Sequence, residues 1–380
     1  MPEEPARFGL YLSDLNRDRN DSHGIINYAV GLANALPLVL DRGEHLFIYA
    51  NREIARELQG QVSDQITIRI TPPPSRMQRI LADHYLGIQR ASKDEVSVLH
   101  FPKGFIPILP PGNIKVVATL HDDIPSVYAR GGFGLGHITL KSHYFSGSLR
   151  HTLRRAHALV TVSHTSLSRF MNLAETHHIA MPPSLVSYQG ITPPILDPVP
   201  VEDKRPTLLH IGSKKPHKRS FEAIEFMLEY ACTSENDLQL MILGSLDNGA
   251  ELLLQGSHAK RITRTLSGQE LAQIMRYSRA LIFSSEREGF GLPPVEAFVL
   301  GTPAVFAGTD VMLEVLGATP GSYTPHDYAD FARAMDNALA LDSETLLALR
   351  ENLLRRYNWD LVARETVKVY RLMTIAGHVG

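Results

Sequence analysis

The chain has 380 residues, 44% hydrophobic and 21% charged, and 38 Lys and Arg against 40 Asp and Glu give a formal charge of −2. Those figures exclude global disorder and a basic field able to hold a nucleic acid, and a lone cysteine, Cys232, excludes an internal disulfide or a CxxC metal knuckle. At roughly 150 residues per domain the length implies two domains. The first residues lack a basic stretch followed by an apolar run, so no signal peptide is expected. Apolar runs also break well short of the roughly 18 residues that span a bilayer. The expected location is the cytoplasm.

Short apolar runs, rich in Val, Ile, Leu and Phe, predict strands at residues 8–12, 46–50, 66–70, 96–101, 116–121 and 159–162, then at 208–211, 238–243, 281–284 and 303–307. Runs of this length without alternation suit strands buried on both faces. Amphipathic patterns between them predict helices over 25–36, 221–231, 269–278 and 328–341. Strand–helix alternation implies parallel sheets with right-handed crossovers. The pattern restarts after Pro193-Pro194-Ile195-Leu196-Asp197-Pro198-Val199-Pro200, a composition that suits a stiff connector and hinge. The fold class is α/β: two Rossmann-like, doubly wound domains expected to face each other across a cleft, residues 1–192 and 193–358, with a final helix over 359–380 returning to the first domain.

Two loops carry the chemistry. The predicted strand at 281–284 runs into Ser285-Glu286-Arg287-Glu288-Gly289-Phe290-Gly291-Leu292-Pro293-Pro294-Val295-Glu296. The prolines pre-set a helix's first turn, whose N–H groups and positive dipole end attract anions. Gly289 and Gly291 allow close backbone approach. Glu288 on the loop and Glu296, placed in the first helical turn, bracket this cradle and suit paired hydroxyls. A ligand with a diol at each end and phosphates between would match, namely a nucleotide-diphosphate sugar. The strand at 208–211 ends in Gly212-Ser213-Lys214-Lys215-Pro216-His217-Lys218-Arg219, a basic loop before a helix and a phosphate site on physical grounds. Lys214, Lys215 and Arg219 read as solvated surface charges, as does the pair His177-His178.

The string from Glu288 to Glu296, followed by Ala297-Phe298 and Gly301-Thr302-Pro303, resembles the paired-glutamate motif of retaining glycosyltransferases of family 4, which have the GT-B fold. The segments Gly308-Thr309-Asp310, Asn358-Trp359-Asp360 and Val369-Tyr370-Arg371 are similar to that family's next loop and final crossing helix. The resemblance implies transfer of a hexose from a UDP- or GDP-sugar to a hydroxyl of a glycan, glycolipid or small molecule, with retention. It assigns Lys218 to the phosphates, Glu288 to sugar hydroxyls and Glu296 to the ribose. Gly212, Ser213, Gly289, Phe290, Gly291 and Leu292 complete the donor site. Ser213 stands where many members carry Arg. Ser22-His23-Gly24-Ile25-Ile26-Asn27-Tyr28 resembles the family's glycine loop, with Gly24 placed against the donor. His121, in His121-Asp122-Asp123, matches the histidine facing the donor sugar, while Asp122 and Asp123 read as turn caps. No Asp-x-Asp pair is present, so neither metal nor cofactor is expected beyond the nucleotide-sugar co-substrate. A front-face path in which departing phosphate takes the acceptor proton fits this set. Two alternatives stay open: a nucleotide-sugar epimerase of the same architecture and a non-catalytic homologue that binds a nucleotide-sugar or a partner. Basic stretches at 76–81 and 149–155 leave attachment to a membrane's inner face open as well.

Overall fold

The structure is a computed structural model that describes residues 6–16, 23–58, 63–71, 87–108, 112–192, 196–234, 237–317 and 319–375. Ser22, the basic stretch 76–81 and residues 193–195 of the proline-rich connector lie outside them. Contacts divide the chain into one unit of Met1–Thr192 with Tyr357–Gly380 and a second of Pro193–Arg356.

The first unit holds seven strands: β1 (Arg7–Leu12), β2 (His45–Asn51), β3 (Ile66–Thr71), β4 (Val98–Phe101), β5 (Lys115–Leu120), β6 (Ala158–Thr161) and β7 (Ser184–Val186). They form a parallel sheet in the order β3-β2-β1-β4-β5-β6-β7. The second holds β8 (Thr207–Gly212), β9 (Gln239–Gly244), β10 (Lys260–Ile262), β11 (Ala280–Phe283), β12 (Ala304–Ala307) and β13 (Ser322–Tyr323). Their order is β10-β9-β8-β11-β12-β13, again parallel. Both orders reverse direction once, between β1 and β4 and between β8 and β11. Ligands of doubly wound sheets bind at such reversals, outside the strands' carboxyl ends.

Central strands such as β4, β6, β11 and β12 are buried at every position, which is why their sequences are apolar runs. The strands that the apolar pattern omits, β7, β10 and β13, are all sheet edges of two or three residues with partly exposed positions. An edge strand meets water on one side and needs no continuous apolar run.

The last helix, Trp359–Ile375, packs within the first unit. The Trp359 ring fills slots left by two glycines. A Cβ on Gly31 would fall 2.0 Å from that ring, and one on Gly190 would fall 2.3 Å from it.

Candidate active site

In the first unit, His121 follows the last residue of β5 and so stands at the sheet's carboxyl end. Its Nε2 lies 2.8 Å from the Pro102 carbonyl. A carbonyl only accepts, so Nε2 carries the proton and Nδ1 is left as an acceptor. Burial pushes the His121 imidazole down to about 4, against the opposing pull of that carbonyl, so the ring is neutral at pH 7. Its orientation is held by Tyr28, whose ring packs edge-on at 4.9 Å. Behind Tyr28 runs a buried polar chain. Tyr28 Oη lies 3.3 Å from Thr119 Oγ1, His100 Nε2 lies 2.8 Å from the same hydroxyl, and His100 Nδ1 lies 2.7 Å from Tyr370 Oη. Tyr28 closes the glycine-loop motif, but His100 and Thr119 escape a motif reading; a histidine inside the apolar strand β4 is the available signal.

Gly24 is not in a loop. The helix His23–Ala35 already includes it, so it sits in the first turn, where amides lack intrahelical partners. Asp122 Oδ1 accepts from the Ile124 N–H at 3.0 Å, the expected turn cap. Asp123 is the N-cap of the helix Ile124–Ala129 without a side-chain cap bond.

In the second unit the two loops meet at the β8–β11 reversal. The His217 carbonyl accepts from the Glu286 N–H at 2.9 Å and from Ser285 Oγ at 3.1 Å, which ties one loop to the other. Below them, His210 on β8 donates through Nδ1 to the Ile282 carbonyl of β11 (3.0 Å), and its Nε2 lies 3.1 Å from Ser220 Oγ. Burial pushes His210 and His217 down to about 4 each, which keeps these histidines uncharged beside Lys218.

Lys218 and Glu288, assigned from separate motifs, form an ion pair of 2.5 Å, with side chains 27% and 14% exposed. Burial alone would raise the Glu288 carboxyl. The Lys218 charge and hydrogen bonds from Lys218 and Ser285 outweigh that and hold it below the usual carboxylate range. Lys218 Nζ also lies 5.6 Å from the Phe283 ring centroid.

Gly289, Phe290 and Gly291 lead into the helix Leu292–Val299, whose N-cap is Gly291 at φ 86°. That left-handed conformation, with Met312 Sδ at 2.3 Å from any Cβ placed there, admits only glycine. Glu296 is not in the first turn as expected, because the helix begins at Leu292 and no acid occupies its first turn. It stands one turn in, where burial raises its carboxyl above the usual range. No described residue hydrogen-bonds that carboxyl.

Gly212 closes β8. The Ser213 N–H donates to Ser220 Oγ at 2.9 Å, and its hydroxyl accepts from the Lys215 N–H at 3.2 Å, so both polar groups are engaged inside the loop. Lys214 and Lys215 are exposed. Arg219 is not a solvated charge. At φ 52° it is left-handed, its guanidinium lies 2.8 Å from Glu222 Oε2 and 2.6 Å from His326 Nδ1, and it reaches to 3.6 Å from Glu286.

Residues 194–355 match the family model described as glycosyl transferases group 1. The O-antigen chain mannosyltransferase RfbU of Salmonella typhimurium is 24% identical over 261 residues, covering 66% of this chain and 71% of that protein. The MMP alpha-(1->4)-mannosyltransferase of Mycolicibacterium hassiacum is 32% identical over 148 residues, 36% of each chain. Sucrose-phosphate synthase of Thermosynechococcus elongatus superposes with a TM-score of 0.68 at 15% identity, over 98% of this chain and 100% of that one. HepE of Anabaena, solved with UDP and glucose, superposes with a TM-score of 0.64 at 12% identity, over 96% and 99%. The chain therefore has the GT-B fold, two parallel-sheet Rossmann-like domains, and the glycosyl transferases group 1 match lies within its second unit.

Proposed function

We propose that this protein is a retaining hexosyltransferase that moves a sugar from a UDP- or GDP-sugar to a hydroxyl of a glycan, glycolipid or small molecule, without a metal. The observation that carries the reading is the pairing of Lys218 with Glu288 one short loop from Glu296, a carboxyl that no described residue hydrogen-bonds, around a helix start that demands glycine. A bound pyrophosphate would draw the Lys218 ammonium, release Glu288 to accept from sugar hydroxyls, and leave Glu296 to accept from the ribose diol. As the anomeric carbon–oxygen bond breaks, negative charge grows on the leaving phosphate; Lys218 and the backbone N–H groups of Gly291 and Leu292 would stabilise it. His121, neutral with Nδ1 open to accept, suits a sugar hydroxyl and is a poor general acid at pH 7. The departing phosphate oxygen would take the acceptor proton, so no protein nucleophile is required.

Incubation with a panel of radiolabelled nucleotide-sugars tests this. GDP-mannose comes first, because several relatives are mannosyltransferases. One donor is expected to release free sugar slowly, and Glu288→Ala or Lys218→Ala should abolish the release. Unchanged turnover in both variants would overturn the residue roles, and failure of every donor to bind would overturn the activity.

We further propose an anionic membrane surface as a partner, with a cytoplasmic location. Residues 124–174 contain no Asp or Glu, but do contain Arg130, Lys141, Arg150, Arg154, Arg155 and Arg169. Leu140 is 87% exposed and Tyr144 50%, both on the helix Leu140–Arg155. Cations beside exposed apolar side chains suit an acidic lipid interface. No helix among the described residues is long and apolar enough to cross a membrane. Flotation with phosphatidylglycerol vesicles, but not with phosphatidylcholine ones, is the expected result.

A further inference from the structure

At the amino end of the second sheet, opposite the loops described above, the strands begin beside a group of cations. Lys204 and Arg205 precede β8, Arg279 precedes β11, and Arg276 lies in the last turn of the helix Gly268–Tyr277. In a parallel sheet with helical crossovers this end gathers helix carboxyl termini, whose carbonyls carry partial negative charge. Part of the cation group answers to that. Lys204 Nζ donates to the Arg276 carbonyl (2.7 Å) and to Thr302 Oγ1 (3.0 Å), and Arg279 Nη2 donates to the Leu339 carbonyl (2.8 Å).

The remainder has no counterpart among the described residues. Arg276 Nε and Arg279 Nη1 are buried and meet no acceptor. The guanidinium carbons of Arg205 and Arg276 lie 5.4 Å and 5.2 Å from the centroid of one ring, Tyr277. None of the four cations forms an ion pair with a described carboxylate, and the acids next in sequence, Glu202 and Asp203, are exposed. Burial and the charges of Arg279 and Arg276 push the Lys204 ammonium down to about 8, with no acid opposing them. A buried guanidinium N–H without an acceptor is costly, and like charges packed this closely repel. An anion beside the cations relieves the repulsion, although the two buried N–H groups themselves lie out of its reach. Planar guanidinium donors match phosphate oxygens, and the one aromatic ring that both Arg205 and Arg276 approach helps hold their orientation.

We propose that Lys204, Arg205, Arg276 and Arg279 form a phosphate-binding site around Tyr277, at the opposite end of the sheet from Lys218. The ligand is a phosphate dianion, either the free ion or the phosphoryl group of a small monoester. A six-residue strand spans about 20 Å, so an occupant would not touch the donor loops.

Isothermal titration of the full chain with sodium phosphate and with glycerol 3-phosphate, at ionic strength held constant with NaCl, tests the site. The expected result is saturable one-to-one binding by at least one of the two, retained in Lys218→Gln and weakened at least tenfold in Arg205→Gln/Arg276→Gln. Tighter binding of glycerol 3-phosphate would identify a monoester as the ligand, and tighter binding of phosphate the free ion. Arg205 is exposed, so Arg205→Gln alone, which should weaken binding at least threefold, keeps the test valid if the double variant does not fold. Absence of saturable binding, or binding lost in Lys218→Gln and kept in the arginine variants, would overturn the proposal.

Discussion

Glu288 and Glu296 stand on one short segment, yet their surroundings push their protonation in opposite directions. Lys218 holds Glu288 ionised despite burial, whereas Glu296 has burial alone acting on it. Removing the cation should therefore hurt Glu288 more than neutralising the anion hurts Lys218. We expect Lys218→Met to lower stability by about 2 kcal/mol, below the cost of breaking a fully buried pair because both groups keep some water. Lys218→Met/Glu288→Gln should regain most of that loss in urea denaturation at pH 7. Glu296 has the opposite sign. Its folded pKa lies above the unfolded one, so its contribution to stability is intact below the unfolded pKa and is lost as pH rises through the folded value. Glu296→Gln should raise the thermal midpoint at pH 7 and leave it nearly unchanged near pH 4, while weakening donor binding. A midpoint that fell at pH 7 would show that the carboxylate has a structural partner.

Among the elements, the clearest constraints are places where a Cβ has no room. Trp359 opens the final helix, and its ring lies against Gly31 of the helix His23–Ala35 and against Gly190. Alanine at either position forces the ring to move. Gly31→Ala and Gly190→Ala are each expected to cost about 1–3 kcal/mol through overpacking. The chain has a single tryptophan, so its fluorescence reports this packing directly, and an unshifted denaturation midpoint would show that the slot relaxes freely. The element that the motif placed less well is the helix Leu292–Val299. Pro293 and Pro294 mark its start in the sequence, but the left-handed N-cap at Gly291 sets the count of turns and moves Glu296 one turn in. Similarly, Arg219 reads as an exposed charge until the fold brings Glu222, Glu286 and His326 around it. Partners that lie 67 and 107 residues away along the chain, in the case of Glu286 and His326, leave no local trace.

Across the whole molecule, buried histidines make acid the weak direction. In the first unit burial pushes His100 down to about 3 and His121 to about 4, and in the second it pushes His210 and His217 to about 4 each. A depressed folded pKa contributes stability above the unfolded value near 6.5, and that stability is lost as pH falls toward about 4. Two such groups per unit give each a slope of up to about 2.7 kcal/mol per pH unit within that window. Urea midpoints measured from pH 7.5 to 5 should fall steeply below about 6.5. A profile flat down to pH 5 would show that these rings stay hydrated.

The strand–helix alternation, the restart near the connector and the two loops at the β8–β11 reversal are all legible in the sequence, because they depend on local properties. Runs of four to six apolar residues signal strands buried on both faces, and glycine followed by paired prolines signals a helix start. The three short edge strands are not legible, since half-solvated strands need no apolar run. Nor are the Lys218–Glu288 pair, the polar chain behind His121, or the cations around Tyr277. Those depend on which strands become neighbours, and β8 meets β11 only after two other strands have been set beside or beyond it. Short-range chemistry determined the parts, and strand order decided which charges meet, because electrostatic partners are chosen by distance in space and not by distance along the chain.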